Sequence, residues 1–351
     1  MGKKSPHIRL RRILGTIAFL ITGILIFAGI SEIMRRKTAE EVDMVHSFYE
    51  IEEDSLDVLF LGSSHLYYGV QPNELWREYG ITSYVMGSPE QTAATSYFLL
   101  KEAFTRQQPK VVVMESYYLW NKLMYNGESR LRQAFDGMKF GPVKVEMINE
   151  MLPDAGFKEK LTYYLPFLKY HSRWSELEPY DFTTKPFLKG SRLDYTTVEL
   201  EDPGIPKKAA AIPDNSMEYL EKIIRLCEEN DAEFVMAAIP FGIETDQKRY
   251  KRRQGLNLTL EEYLQAEGIP FLFYQRDYPD IIDFSTDFRD KTHLNTNGAV
   301  KLTHHLGGWL KENYGLEGHK GEAAYESWDS DLALYDRETE RVKENPPEAG
   351  A

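Results

Sequence analysis

Cysteine is almost absent from this chain, which has Cys227 as its one thiol among 351 residues. A single thiol excludes an internal disulfide framework and is too few for a zinc site built on cysteine. Because Cys227 falls in the apolar phase of a predicted helix, we expect a buried, inert thiol. With 42% hydrophobic and 13% aromatic residues, the chain is still rich enough in apolar side chains to fold as a globular protein.

Positive charge is scarce outside the N-terminus. The first 37 residues carry eight Lys or Arg against Glu32, a net +7, which leaves −20 for the rest of a chain whose total is −13. So acidic a body lacks the basic face that nucleic-acid binding needs, and we expect no nucleic-acid partner. The one basic run, 248–253, predicts a solvated helix face, with anionic lipid headgroups or a polyanionic wall polymer as the alternative contact.

One long apolar run is present, the eighteen uncharged residues 13–30. As a helix it would extend about 27 Å, close to the ~30 Å hydrocarbon core of a bilayer. The run predicts an uncleaved membrane anchor, with a cleavable signal peptide as the alternative. Five basic residues precede it and three follow it, which favours a cytoplasmic N-terminus and an extracytoplasmic body. Thr38 to Glu41 then has the pattern of a capping box that opens a short helix.

Short apolar strands alternate with amphipathic helices through most of the remaining chain. This alternation predicts an α/β fold, a parallel sheet covered by helices on both faces. One catalytic domain with an insertion is as compatible with the length as two domains. The predicted strands are 57–62, 82–86, 110–114, 233–239 and 269–274, and the predicted helices are 72–78, 91–106, 214–229, 259–266 and 296–313.

Two segments depart from the alternation. Residues 118–212 are too many for a structureless loop, so they predict a helical, aromatic-rich insertion in a domain spanning 38–315. Residues 316–351 are acidic and poor in apolar side chains, and we expect a loosely ordered tail. The basic segment and anchor would occupy 1–37.

Ligands of a doubly wound sheet bind at the carboxyl ends of the strands, where this sequence places several reactive side chains. The first strand ends in Gly62-Ser63-Ser64-His65, and Asp290 and His293 lie in a loop before the last predicted helix. A serine hydroxyl needs a base, and the base needs a partner that fixes its tautomer. We therefore predict Ser64 as nucleophile, His293 as general base and Asp290 as the group that orients it.

An acyl-transfer site also needs backbone N–H donors for the developing oxyanion. The N–H groups of Ser64 and Gly87 are the predicted pair, although Gly87 could equally be a plain turn glycine. We expect no metal and no organic cofactor. Five further residues are candidates for substrate binding, from strand ends and from the aromatic part of the insertion: His65, Gln91, Glu115, His171 and Arg173. His65 is not expected to be the base, because it is the sequence neighbour of Ser64.

These motifs resemble those of the SGNH, or GDSL-like, hydrolase family over residues 55–315. Gly62-Ser63-Ser64 matches the first block, with Ser63 at the usual aspartate, and Asp290 with His293 matches the fifth. Gly87 matches the second block without its asparagine, and the third block is not recognisable. The resemblance implies a flavodoxin-like three-layer α/β/α fold and the Ser64–His293–Asp290 triad.

In its departures from the family pattern, the sequence resembles the membrane-anchored branch of the family. That branch includes teichoic acid D-alanylation and alginate O-acetylation proteins. That resemblance implies an extracytoplasmic serine acyltransferase or esterase acting on O-acyl groups, such as acetyl or D-alanyl, of a cell-surface polysaccharide or wall polymer. It also implies a multi-span membrane O-acyltransferase as partner. The alternatives are a catalytically silent scaffold or glycan-binding protein with the same fold, and a soluble secreted lipase.

Overall fold

A computed structural model describes residues 6–35, 43–182 and 185–345 of the chain. The predicted capping box at 38–41 lies outside these residues. Within them the sheet has five parallel strands in the order β2-β1-β3-β4-β5. The strands are β1 Val58–Gly62, β2 Ser83–Gly87, β3 Val111–Glu115, β4 Glu233–Ala238 and β5 Phe271–Phe273. All five lie within one or two residues of the predicted bounds, so the predicted parallel α/β sheet is confirmed.

The strands are apolar on both faces because helices cover both faces. Leu59 and Leu61 of β1 belong to one core cluster, whereas Val58 and Phe60 belong to the other. The helices are α1 Pro6–Met34, α2 Asp43–Ser47, α3 Ser64–Tyr67, α4 Pro72–Tyr79, α5 Ala93–Ala103, α6 Gly127–Phe135, α7 Pro142–Met151, α8 Phe157–Tyr164, α9 Phe167–Tyr170, α10 Asp214–Glu229, α11 Gln247–Ala266, α12 Tyr274–Asp277, α13 Thr296–Tyr314 and α14 Glu326–Glu344. Helices α5, α10 and α11 pack on the Leu59 side, and α4 and α13 contribute most of the opposite layer.

The predicted insertion, 118–212, is helical up to Leu188, and residues 191–206 have no regular secondary structure. It contains α6 to α9 and the short 3₁₀ turns Arg173–Ser175, Pro179–Phe182 and Pro186–Leu188, and a further turn, Tyr117–Trp120, leads into it. Side chains of α6, α7 and α8, including Phe135, Met147 and Tyr163, join the core cluster on the Leu59 side of the sheet. The insertion is therefore packed onto the domain.

The predicted loose tail is wrong for residues 326–344, which form α14. Trp328 and Tyr335 are buried, and the Trp328 ring lies 5.7 Å from that of Trp76 on α4. Trp76 Nε1 also donates a hydrogen bond of 2.9 Å to Asp329. The few apolar residues recur at helical spacing, so one stripe docks although the segment as a whole is acidic. Residues 346–351 lie outside the described part of the chain.

Helix α1 is the one described helix that is long and apolar enough to cross a membrane, over Leu10–Met34. Its residues 10–29 are exposed, whereas Met34 and Arg35 at its end are buried. The basic run 248–253 forms the first turns of α11, where its charged residues are exposed except Arg253. Cys227 is buried in α10, and burial raises the pKa of its thiol, as expected of an inert cysteine.

Candidate active site

Ser64 lies at the carboxyl edge of the sheet, directly after β1, where Ser63 caps the short helix α3 and Ser64 begins it. Glu115, at the end of the neighbouring β3, accepts hydrogen bonds from the Ser63 N–H at 2.9 Å and from the Ser63 hydroxyl at 2.6 Å. Its second oxygen accepts the N–H of Tyr117 at 2.5 Å. Ser63 is thereby held inward and fully buried, whereas Ser64 lines a surface cleft.

Gly62 is required by this arrangement. A Cβ at residue 62 would lie 2.3 Å from Cγ of Glu115, a carbon whose carboxylate is fixed by three hydrogen bonds. Burial raises the pKa of Glu115, and the hydrogen bonds from Ser63 and from the Tyr117 amide oppose that rise. Glu115 therefore shapes the turn that carries Ser64 from beneath, and it does not line the cleft.

His293 and Asp290 reach Ser64 from the loop that precedes α13. Ser64 Oγ lies 2.8 Å from His293 Nε2, and His293 Nδ1 lies 2.8 Å from Asp290 Oδ2. Asp290 Oδ1 accepts the backbone N–H groups of Thr292 and His293 at 2.8 and 2.9 Å, which folds the loop into a tight turn. The structure thus brings the three predicted residues into one chain of hydrogen bonds.

The ionised state of Asp290 fixes which tautomer of His293 can accept the serine proton. Burial acts to raise the pKa of Asp290, but the hydrogen bond and the charge of His293, together with the two backbone N–H groups, hold it well below its usual range. Asp290 is therefore ionised and can only accept a hydrogen bond, which places the proton of the neutral imidazole on Nδ1. Nε2 is then left to accept the hydroxyl proton of Ser64.

His65 is buried beside the triad. Its ring stacks on Tyr117 at 3.4 Å and lies 4.7 Å from the ring of His293. Burial, reinforced by the charge of His293, keeps its pKa well below the usual range, so this imidazole is neutral. His65 lines the cleft, where substrate binding was predicted for it. Its buried Nδ1 has no hydrogen-bond partner among the residues that the structure describes.

The cleft above Ser64 has a volume of about 250 Å³ and a largely polar lining. Tyrosine rings and charged side chains from six separate segments surround the triad: Tyr67, Tyr68, Glu90, Tyr117, Tyr118, Arg130, Glu244 and Arg289. Arg289 is held by Asp194 at 2.8 Å and lies 4.4 Å from the ring of Tyr68. Arg130 pairs with Glu90 at 3.2 Å. Among the described residues, no group of three or more His, Cys, Asp or Glu could hold a metal ion.

Searches for similar proteins gave matches to solved structures alone. No family model and no curated protein matches the chain. A candidate acylhydrolase from Bacteroides fragilis is 12% identical, with a TM-score of 0.41 over 79% of this chain and 98% of the other. A GDSL-like lipase from Bacteroides thetaiotaomicron is 12% identical, with a TM-score of 0.38 over 76% and 94%. A gut microbial diltiazem-metabolizing enzyme is 15% identical, with a TM-score of 0.25 over 77% and 49%. At these scores the likeness assigns no activity to this chain.

Four of the five residues predicted for substrate binding have other partners, Glu115 as described above and three more. Gln91 is buried and bonds Ser88, Ser96 and the Met86 carbonyl, so its amide stabilises the turn after β2. His171 is exposed, with Nδ1 3.1 Å from the Leu168 carbonyl. Arg173 is buried against the end of α1. None of the three lines the cleft: Gln91 and His171 bond within their own segments, and Arg173 turns to the end of α1.

Gly87 pairs with Gly62 at the ends of β2 and β1. A Cβ there would lie 3.1 Å from the Gly62 carbonyl oxygen and 3.3 Å from the ring of Tyr67, so close packing is one reason for glycine. Its role as an oxyanion donor stays a prediction.

Arg289 and Arg130 are cleft residues that were not among the sequence predictions. Arg289 directly precedes Asp290, and that position is its sequence signal. Arg130 comes from the insertion, where no motif indicates it.

Proposed function

We propose that this chain is an SGNH-type serine esterase or O-acyltransferase. The observation that carries the proposal is the continuous hydrogen-bonded chain from Ser64 Oγ through His293 to Asp290 at the carboxyl edge of the sheet. Two of its three members come from one loop, and the third lies 229 residues earlier in sequence. A geometry of this kind is recognised by roles rather than by residue order.

Acyl transfer by this geometry begins with the hydroxyl of Ser64 attacking an ester carbonyl while His293 Nε2 takes its proton. Asp290 stabilises the imidazolium that forms. The oxyanion would be met by the N–H of Ser64, which as the first residue of α3 has no acceptor within the helix, and by that of Gly87. His293 then protonates the leaving alcohol, and water or a second hydroxyl group, deprotonated by His293, releases the acyl group from Ser64.

We propose O-acyl groups, such as acetyl or D-alanyl, of a cell-surface glycan or wall polymer as the substrate. The polar cleft, with tyrosine rings beside charged side chains, suits a hydroxyl-rich acceptor better than a long acyl chain. The apolar helix α1 and its flanking charges support a domain held at the membrane on the extracytoplasmic side. The resemblance to membrane-anchored SGNH proteins is the basis for adding a multi-span O-acyltransferase that would deliver the acyl group.

A catalytically silent scaffold or glycan-binding protein is the second candidate. It is favoured by the end of β3, where Glu115 is fixed to Ser63 and Tyr117 and offers no donor to the cleft. The resemblance to SGNH hydrolases would place a third oxyanion donor in this part of the site.

Labelling with a fluorophosphonate probe separates the two candidates. We expect the wild type to be labelled and Ser64→Ala to lose at least 90% of the labelling. Ser285→Ala, which removes an exposed serine outside the cleft, should be labelled like the wild type. Trapping with short-chain p-nitrophenyl esters, followed by peptide mapping, should place the adduct on Ser64. Equal labelling of wild type and folded Ser64→Ala, or a stable adduct on another residue, would overturn the assignment.

A further inference from the structure

The C-terminal end of α1 is fixed to the insertion by Arg173. Its Nη1 donates to the carbonyl oxygens of Met34 and Arg35 at 3.0 and 2.9 Å, and its Nη2 pairs with both oxygens of Asp181 at 3.1 Å. Arg173 and Asp181 are both buried. The last carbonyl oxygens of a helix have no N–H donor within the helix. A guanidinium at that end donates hydrogen bonds to them and complements the helix dipole.

Two further contacts hold the same end of the helix. The buried guanidinium of Arg35 donates to the Asp136 carbonyl oxygen at 3.1 Å, and the ring of Phe27 meets that of Phe167 edge-on at 5.1 Å. Removal of α1 would leave the buried Arg173 without two of its acceptors, which is costly for a charged group. These contacts favour a retained anchor that is joined rigidly to the domain over a cleaved signal peptide.

Four large apolar side chains are exposed beside this junction: Leu165, Leu168, Trp174 and Phe182, hereafter the rim residues. Leu165 and Leu168 are 40% exposed, Trp174 59% and Phe182 61%. Single exposed apolar residues are ordinary. Here, however, three of the four directly follow residues at the junction. Leu168 follows Phe167 and Trp174 follows Arg173, both of which contact α1. Phe182 follows Asp181, which pairs with Arg173.

We propose that the rim residues lie in the interfacial zone of the bilayer and seat the insertion on the membrane surface. The span Leu10–Met34 has 25 residues. At about 1.5 Å per residue it is longer than the ~30 Å hydrocarbon core, so its final turns emerge among the headgroups. Tryptophan and other aromatic residues are enriched at that depth. A bilayer is favoured over a protein partner because Leu168 and Phe182 belong to elements, α9 and the 3₁₀ turn Pro179–Phe182, that contact the apolar helix α1 directly.

Seating at this rim would set the height and orientation of the cleft. The insertion holds the end of α1 through Arg173 and also contributes Arg130 to the cleft. A rigid connection of this kind would present Ser64 to substrates at a fixed distance from the membrane, instead of leaving the domain on a free tether. This inference rests on α1 crossing a membrane and is independent of the chemistry proposed for Ser64.

Tryptophan fluorescence of the full chain in lipid nanodiscs tests the proposal. The chain has five tryptophans, of which Trp76 and Trp328 are buried. Lipids brominated on acyl carbons near the headgroup should quench a fraction of the wild-type emission. We expect this fraction to be at least twice that quenched in Trp174→Phe. The matched control is Trp309→Phe, which alters a tryptophan of α13 that packs against Tyr314 and should keep the wild-type quenching.

A second variant tests the rim as a unit. Leu168→Ser combined with Phe182→Ser should halve the quenching of Trp174, whereas Leu123→Ser, which alters a 50% exposed leucine outside the rim, should leave it unchanged. Equal quenching of wild type and Trp174→Phe would overturn the proposal, since the sample contains no partner protein beyond the scaffold belt at the disc edge. Fluorophosphonate labelling of Ser64 in the same samples separates this outcome from a failure of the proposed function.

Discussion

The bond between Asp290 and His293 allows one substitution to be predicted in detail. In Asp290→Asn, the amide oxygen can stay at Oδ1, because the N–H groups of Thr292 and His293 require an acceptor there. The amide NH₂ then replaces Oδ2, 2.8 Å from His293 Nδ1. A donor at this position forces Nδ1 to accept, so the proton moves to Nε2. The imidazole then donates to Ser64 and cannot act as its base.

The expected loss in kcat is about 10⁴-fold, as for other triads in which the carboxylate becomes an amide. This loss corresponds to about 5 kcal/mol in the activation barrier. Stability should change by less than about 1 kcal/mol, because both backbone hydrogen bonds of the turn are kept and the Asp290 side chain is 41% exposed.

The assay is hydrolysis of p-nitrophenyl acetate, with thermal unfolding of the same samples. Asp283→Asn, which alters an exposed aspartate earlier in the same segment, is the matched control and should retain wild-type turnover. If folded Asp290→Asn keeps more than a tenth of the wild-type kcat, Asp290 does not set the tautomer of His293. A large loss of stability together with the loss of activity would show instead that the turn itself had collapsed.

Two further predictions concern stability. Trp328→Ala should lower the free energy of unfolding by about 3–5 kcal/mol in chemical denaturation, because Trp328 is buried against Trp76; a loss below 1 kcal/mol would mean that α14 is not docked. Burial lowers the pKa of Lys144 to about 8, so the unfolded chain binds more protons between about pH 8 and 10.5, and stability should rise with pH in that window. Measured against Lys144→Met, the rise should approach about 3 kcal/mol, and its absence would show that Lys144 is not buried as a charge.

The sheet could be predicted from sequence because each strand is an apolar run that no helix period explains. The triad could be proposed because the carboxyl ends of parallel strands share one edge, which brings distant segments together. Neither rule specifies where a side chain points. Gln91 and Glu115 both follow or end strands as expected, yet Gln91 turns into its own loop and Glu115 turns beneath Ser63. The acidic composition of the C-terminal segment led to the prediction of a loose tail, because the apolar stripe of α14 is narrow.

Arg173 shows why local sequence does not determine the role of a side chain in the insertion. An arginine among aromatic residues is compatible with a substrate pocket, with a solvated surface or with a helix terminus, and local sequence does not distinguish these. The structure resolves the choice through a pairing across 138 residues, from Arg173 to the carbonyl of Arg35 at the end of α1. The segment around Arg173, which was predicted to line a substrate pocket, therefore joins α1 to the domain. The insertion also supplies Arg130 to the cleft, so the proposed membrane contact and the shape of the site depend on the same segment. A substitution at the rim should therefore alter access to polymeric acceptors while leaving small-ester hydrolysis intact.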